Sequence, residues 1–207
     1  MSSVNIGVLI SGGGTNLQSI IDSINDGYID GEIKIVISNR EDAYGLIRAE
    51  RAGIEALYVD RYKYNTEKEY NERIIQELKK RDIELVVLAG YLKVLSKEFV
   101  DEYEGRIINI HPSLIPSFCG EGCYGEKVHS MVLDYGVKVT GVTVHFVDEG
   151  TDTGPIILQK TVDVKDNDTV DSLKERVLKV EHEALPEAVR LFCQDRLTIK
   201  GRKVIID

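Results

Sequence analysis

Between Val4 and Ile110 short apolar runs alternate with segments of helical period, and that alternation restricts the chain to a mainly parallel sheet wrapped by helices. Val4 to Ile10 is an almost continuous apolar run, suited to a strand buried on both faces. It stops at Ser11-Gly12-Gly13-Gly14-Thr15, after which Asn16 is placed to cap a helix carrying Leu17, Ile20 and Ile21. Glu32 to Ile37, Glu55 to Val59 and Ile83 to Leu88 are further strand candidates, with helices expected over Tyr44 to Ala52 and Thr66 to Lys80. A fifth run, Arg106-Ile107-Ile108, follows. The expected architecture is doubly wound, with a crevice where the winding reverses, between the first and fourth strands. The loops after Ile10, Ala89 and Ile110 then meet at one edge.

After residue 137 the pattern changes. Lys138 to Val147 and Ile156 to Val164 are long strand-like runs. Thr169 to Phe192 has apolar residues at helical spacing, Leu173, Val177, Val180, Ala184, Ala188 and Leu191, with Pro186 expected to bend it. Arg196 to Ile206, turning at Lys200-Gly201-Arg202, suggests a terminal hairpin. With 207 residues, 43% of them hydrophobic, and no repeat or biased segment, residues 1–207 are expected to form one α/β domain. A net charge of -9 leaves no concentrated basic face, which argues against nucleic acid or an anionic membrane as partner. Any anionic ligand must be held locally. Met1-Ser2-Ser3-Val4-Asn5-Ile6 has no basic segment ahead of an apolar core, and no run nears the roughly 18 residues of a membrane span, so the expected location is cytoplasmic. Cys119, Cys123 and Cys193 fit a reducing compartment. Cys119 and Cys123 enclose Gly120-Glu121-Gly122 without a second cysteine pair, which is not metal-ligand spacing, and no metal is expected.

The segment that carries chemistry is Asn109-Ile110-His111-Pro112-Ser113-Leu114-Ile115-Pro116. Asn109 and His111 are two apart, so in an extended strand their side chains project from one face. An amide and an imidazole at the end of a central strand suit polarising a carbonyl while one of them handles a proton, which points to acyl transfer or hydrolysis. As an isolated pair they equally describe a strand-end histidine beside a turn. Pro112 and Pro116 cannot join a central ladder, so the strand must end at the histidine. The glycine turn is not a dinucleotide fingerprint: Leu17 stands where a third glycine belongs, and Ser38-Asn39-Arg40 replaces the acid that would hold a ribose. What remains is a set of backbone amides at a helix start with the Thr15 hydroxyl and Asn16 amide, which suits one phosphate monoester or is a plain strand-to-helix turn. Val147 to Pro155 is a hairpin loop or, if Asp152 folds back towards His111, a support for the imidazole. His145 is a second candidate for touching Asp152 or substrate, or an ordinary core histidine. Glu181, at the edge of an apolar helical stripe, can bind an amine or amide or be a solvated flank. Gly90-Tyr91-Leu92-Lys93-Val94-Leu95 offers apolar groups to a flat ring, or opens the next helix.

Together Ser11 to Asn16, Leu88-Ala89-Gly90-Tyr91, Asn109 to Leu114, Val144-His145-Phe146-Val147 and Asp152-Thr153-Gly154-Pro155 resemble the phosphoribosylglycinamide formyltransferases, folate-dependent enzymes of purine synthesis, over nearly the whole chain. The resemblance implies a formyltransferase-like Rossmann variant, with phosphate held by a half of about residues 1–105 and catalysis and folate by a half of about 106–207. It implies Asn109, His111 and Asp152 as the catalytic three, and Gly14, Thr15 and Asn16 on the phosphate. Leu178, Lys179, Val180 and Glu181 would lie along glycinamide ribonucleotide. Leu92, Lys93, Val94 and Leu95, with Asn109 and with Asp148, Glu149, Gly150, Thr151 and Asp152, would line the pocket of the formyl donor, 10-formyltetrahydrofolate. The implied partners are these two small molecules, and the implied assembly is a monomer or homodimer. In the implied reaction the amine adds to the formyl carbon, Asn109 and protonated His111 stabilise the oxyanion, and Asp152 supports the imidazole and helps relay the proton to the departing nitrogen.

Two segments depart from the family pattern. Ser117-Phe118-Cys119-Gly120-Glu121-Gly122-Cys123-Tyr124 is longer than the usual loop after the Pro-Ser-Leu motif, and it separates His129 from that motif. Glu67-Lys68 stands near where relatives place an arginine for the folate tail. Other formyl-folate users would be expected to carry a further RNA-binding or regulatory domain. A phosphate sensor would keep the fold without the three catalytic candidates.

Overall fold

Val4–Ile10 forms β1, the strand on which the rest is laid, in a computed structural model that describes residues 3–207. It is followed by α1 (Thr15–Asn25), β2 (Gly31–Ser38), α2 (Tyr44–Arg51), β3 (Glu55–Tyr58), α3 (Glu67–Lys79) and β4 (Leu85–Leu88). Then come α4 (Lys97–Glu102), β5 (Ile107–His111), α5 (Glu126–Tyr135), β6 (Val139–Phe146) and β7 (Ile156–Asp163). The chain ends with α6 (Val170–Cys193), β8 (Leu197–Lys200) and β9 (Lys203–Ile206). The strands lie in one sheet in the order β3-β2-β1-β4-β5-β6-β7-β9-β8. β1 to β5 pair in parallel and β6 and β7 run antiparallel, so the winding reverses at β1, as the alternation predicts.

Strand alternation sends side chains to two cores. Ile6, Val8 and Ile10 face a core shared with Leu17, Ile20 and Ile21 of α1 and with the apolar stripe of α6. Leu9, Ile35 and Ile37 face the other, closed by Tyr70, Ile74 and Leu78 of α3 and Phe99 of α4. Thr66 caps α3 through a box with Glu69, and Thr169 caps α6 through a box with Ser172, which is why both helices start where the sequence suggests. The hairpin β8–β9 joins the sheet edge through β7.

Several expectations change. Asn16 does not cap α1: Gly14 holds the N-cap position in a left-handed conformation, φ 69°, and makes no side-chain cap bond. A Cβ there would lie 2.6 Å from the Cα of Gly45, so α2 packs directly on the turn. Asn16 is thereby free to turn inward. The stretch after β4 does not open a helix at Gly90; it runs irregularly to Ser96, whose hydroxyl accepts the Phe99 N–H and starts α4. β5 ends at His111 against Pro112, as the proline requires.

Candidate active site

Asn109 and His111 project from one face at the end of β5, and His111 meets Asp152, brought in by the loop between β6 and β7. That loop returns tightly at Gly154, where a Cβ would sit 1.8 Å from the Phe146 carbonyl oxygen. Asp152 itself adopts φ 58°, a left-handed conformation that aspartate tolerates. His111 Nδ1 lies 3.5 Å from Asp152 Oδ2, and His111 Nε2 donates to the Phe118 carbonyl at 2.9 Å. The Gly120 N–H donates to the same Asp152 oxygen at 2.9 Å. His145 completes the group: its Nδ1–H donates to the Phe146 carbonyl at 2.7 Å, so in the neutral ring Nε2 accepts from Asn109 Nδ2 at 3.1 Å. This fixes the Asn109 amide and leaves its second N–H for the cleft. His145 Nε2 also lies 3.7 Å from Asp152 Oδ1, a contact that is an ion pair only when the ring is protonated.

Burial sets the charge states here. It pushes the His111 pKa below the usual imidazole value, against the pull of Asp152 and of the Phe118 carbonyl. Burial would raise Asp152, but His145, the Gly120 N–H and His111 outweigh it and hold the carboxyl below its usual range. The resting pair is therefore a neutral imidazole beside a carboxylate.

The glycine turn is tied into the same edge. Ser11 Oγ donates to Asn39 Oδ1 at 2.6 Å and accepts the Leu92 N–H at 2.9 Å, which joins the ends of β1, β2 and β4. Arg48 Nε donates to the Gly13 carbonyl at 2.8 Å. Asn16 Nδ2 donates to Glu181 Oε2 at 2.8 Å across the buried gap between α1 and α6. The Asn16 Oδ1 atom is buried without a partner. Burial raises the Glu181 carboxyl to about 7, with the Asn16 bond opposing it.

Asn16, Asn109, His111, His145, Asp152 and Glu181 line a cleft of about 390 Å³. Leu92, Lys93, Val94 and Leu95 form one wall, and Asp148, Gly150, Thr151 and Asp152 close the other side. Glu149 does not join them; its carboxylate turns outward to pair with Lys97. Leu178 and Glu181 border an adjoining hollow with Pro112, Glu126, His129 and Lys174. Lys179 and Val180 do not reach it: Lys179 is exposed and Val180 packs on the main core. A helix turns by about 100° per residue, so Leu178 and Glu181 share a face that the two residues between them leave. Glu67 pairs with Arg61 at 2.7 Å, and Lys68 with Glu72 at 4.0 Å, and neither lines the cleft.

The family model described as formyl transferase matches residues 4–189. The chain belongs to the formyl transferase family. It is 38% identical over 202 residues to the phosphoribosylglycinamide formyltransferase of Haemophilus influenzae, covering 98% of this chain and 93% of that one. It is 45% identical over 196 residues to the trifunctional purine biosynthetic protein adenosine-3 of Gallus gallus, covering 95% of this chain and 19% of the relative. The chain thus spans about a fifth of that relative's length. The crystal structure of glycinamide ribonucleotide transformylase 1 from Symbiobacterium toebii superposes with a TM-score of 0.94 at 46% identity, covering 99% of this chain and 94% of that one.

In this formyl transferase the structure brings Asn109, His111, Asp152, Asn16 and Glu181 to one cleft, together with His145, the second histidine candidate, and it adds the Phe118 carbonyl. His145 faces Asn109 directly across the antiparallel β5–β6 ladder, a pairing visible only once the register is known. The Phe118 carbonyl is a backbone group, which no side-chain pattern announces. His129, beyond the longer loop, is buried on α5 with Nδ1 unpartnered and its pKa lowered by burial.

Proposed function

We propose that this chain transfers the formyl group of 10-formyltetrahydrofolate to the amine of glycinamide ribonucleotide, in the cytoplasm. The observation that carries the reading is the placing of Asn109, His111 and Asp152 in one cleft with the Asn16–Glu181 pair, Asn16 following directly on the glycine turn at the start of α1. The turn is the anion site: α1 begins at Thr15, so its first amides and positive helix end suit a phosphate that the net charge of -9 would otherwise repel. Glu181 keeps one carboxylate oxygen for the ribonucleotide, with Leu178 beside it. The exposed side chains of Leu92 and Val94 suit the flat face of the donor, and the backbone of the two flanking loops suits its edges.

The chemistry follows from hydrogen-bond inventory. The free N–H of Asn109 is aimed into the cleft and stabilises the oxyanion that forms when the amine adds to the formyl carbon. Neutral His111 has an empty proton position on Nδ1, facing Asp152. The amine proton enters there, and the resulting imidazolium, paired with Asp152, places positive charge beside the oxyanion. As the carbon–N10 bond breaks, the proton passes to N10, and His111 returns to its neutral state. Asp152 stays ionised throughout and orients the ring. The test is an absorbance assay for the folate product with the ribonucleotide present and omitted. Release is expected only with the amine present. Equal release without it would mean hydrolysis, and phosphate binding without release would mean a sensor.

A further inference from the structure

The segment that follows the Pro-Ser motif reaches back to both acid–base groups. The Phe118 carbonyl takes the Nε2–H of His111, and two residues later the Gly120 N–H holds Asp152 Oδ2. Phe118 has φ 49°, in the left-handed region that a bulky residue seldom occupies, so the surroundings must hold it there. Three contacts do so. Its ring packs edge-on against Tyr135, with centroids 5.8 Å apart and planes at 78°, and also against the main core. The neighbouring Ser117 carbonyl accepts the Ser113 hydroxyl at 2.6 Å. The Pro116 carbonyl accepts the Cys119 thiol at 3.3 Å.

The consequence lies in which nitrogen of His111 carries the proton. The ring is faced by Asp152 from the β6–β7 loop, by His145 on β6 and, more distantly, by His129 on α5. A neutral imidazole beside an ionised carboxylate would place its one proton on the near nitrogen, because a charge-assisted bond is the stronger one. That would fill Nδ1 and leave no place for an incoming proton next to Asp152. The Phe118 carbonyl offers the competing acceptor on the opposite side of the ring.

We propose that Phe118 is a positioning residue whose inward-turned carbonyl keeps neutral His111 in the Nε2–H tautomer and so reserves Nδ1 for the proton released by the attacking amine. The catalytic consequence rests on the proposed formyl transfer; the tautomer does not. The experiment is ¹⁵N NMR of the imidazole nitrogens in the full chain, with His111 signals assigned by their loss in His111→Gln. Wild type is expected to show the Nε2–H tautomer. Phe118→Ala, and Tyr135→Ala on an exposed residue that loosens the same ring without risk to the fold, are expected to shift the ring towards Nδ1–H, and Phe118→Tyr is expected to retain Nε2–H. In formyl transfer, Phe118→Ala should lower kcat by about 10- to 100-fold while both KM values stay within about twofold, the pattern of lost alignment. Nδ1–H in the wild type, or an unchanged tautomer in both alanine variants, would overturn the proposal. A clamp-dependent tautomer in a protein that transfers no formyl group would instead overturn the functional reading and leave the role of Phe118 standing.

Discussion

Asp152 shows how far a single residue could be read from sequence. Asn109 and His111 are legible because two positions along a strand share a face, whereas the approach of Asp152 from 41 positions beyond His111 depends on loop geometry that spacing does not encode. With the 3.5 Å contact in place, Asp152→Asn removes the charge that favours imidazolium while keeping size. Turnover should fall by about 10²- to 10⁴-fold with little change in ribonucleotide KM. The double variant with His111→Asn should lose far less than the product of the single losses, since the two act as one unit. Pre-steady-state transfer rates decide this, and multiplicative losses would separate the two roles. Glu181 gives a second residue-scale test. Its carboxyl is raised from an ordinary 4.5 to about 7, so its favourable contribution to stability is complete below about pH 4.5 and is lost as pH rises through 7. Glu181→Gln, which resembles the protonated form, should match wild type in thermal unfolding near pH 4.5 and exceed it at pH 8.5. The ionised carboxylate is the better acceptor for substrate hydroxyls, so wild-type ribonucleotide KM should fall as pH rises through 7. A wild-type KM that does not fall there, or a fall that persists in the Gln variant, would count against Glu181 as a ribonucleotide contact.

The regular elements are legible because burial on both faces of a parallel strand and the 3.6-residue period of α3 and α6 leave plain apolar patterns. Their ends are not. Asn16 has the chemistry of a cap, but the left-handed Gly14 lets α2 approach and releases Asn16 to Glu181, a partner 165 positions away. Lys179 and Val180 do not border the hollow beside Leu178 and Glu181 for the related reason that four successive helical residues cannot face one side. The packing of α2 on the turn makes the phosphate assignment testable. Gly14→Ala would place a Cβ 2.6 Å from Gly45 and strain a φ of 69°, so the turn must shift. KM for the ribonucleotide should rise about tenfold or more, with the folate KM unchanged. Measured with a dephosphorylated analogue, the same substitution should do much less; an equal effect on both would show that the turn does not hold the phosphate.

At the scale of the whole molecule, the two halves proposed to hold phosphate and donor are not separable bodies. The boundary near residue 105 falls between β4 and β5, which pair directly, Val86 with Ile107, Val87 with Ile108 and Leu88 with Asn109. β5, which carries Asn109 and His111, is therefore laid on the edge of the half proposed to hold phosphate, and Asn16–Glu181 ties the halves again through a buried hydrogen bond. Dividing the chain there would expose the paired edges of both strands and open the core that α1 shares with α6. Unfolding should then be a single cooperative transition, with far-ultraviolet dichroism and tyrosine fluorescence superimposing and with calorimetric and van't Hoff enthalpies equal. Ribonucleotide at 100 times its Kd should add about 2.7 kcal/mol to the stability of the entire chain, because every element unfolds with the site. Two transitions, with the ribonucleotide shifting only one of them, would show that the phosphate end folds by itself and that β4–β5 pairing does not couple it to His111.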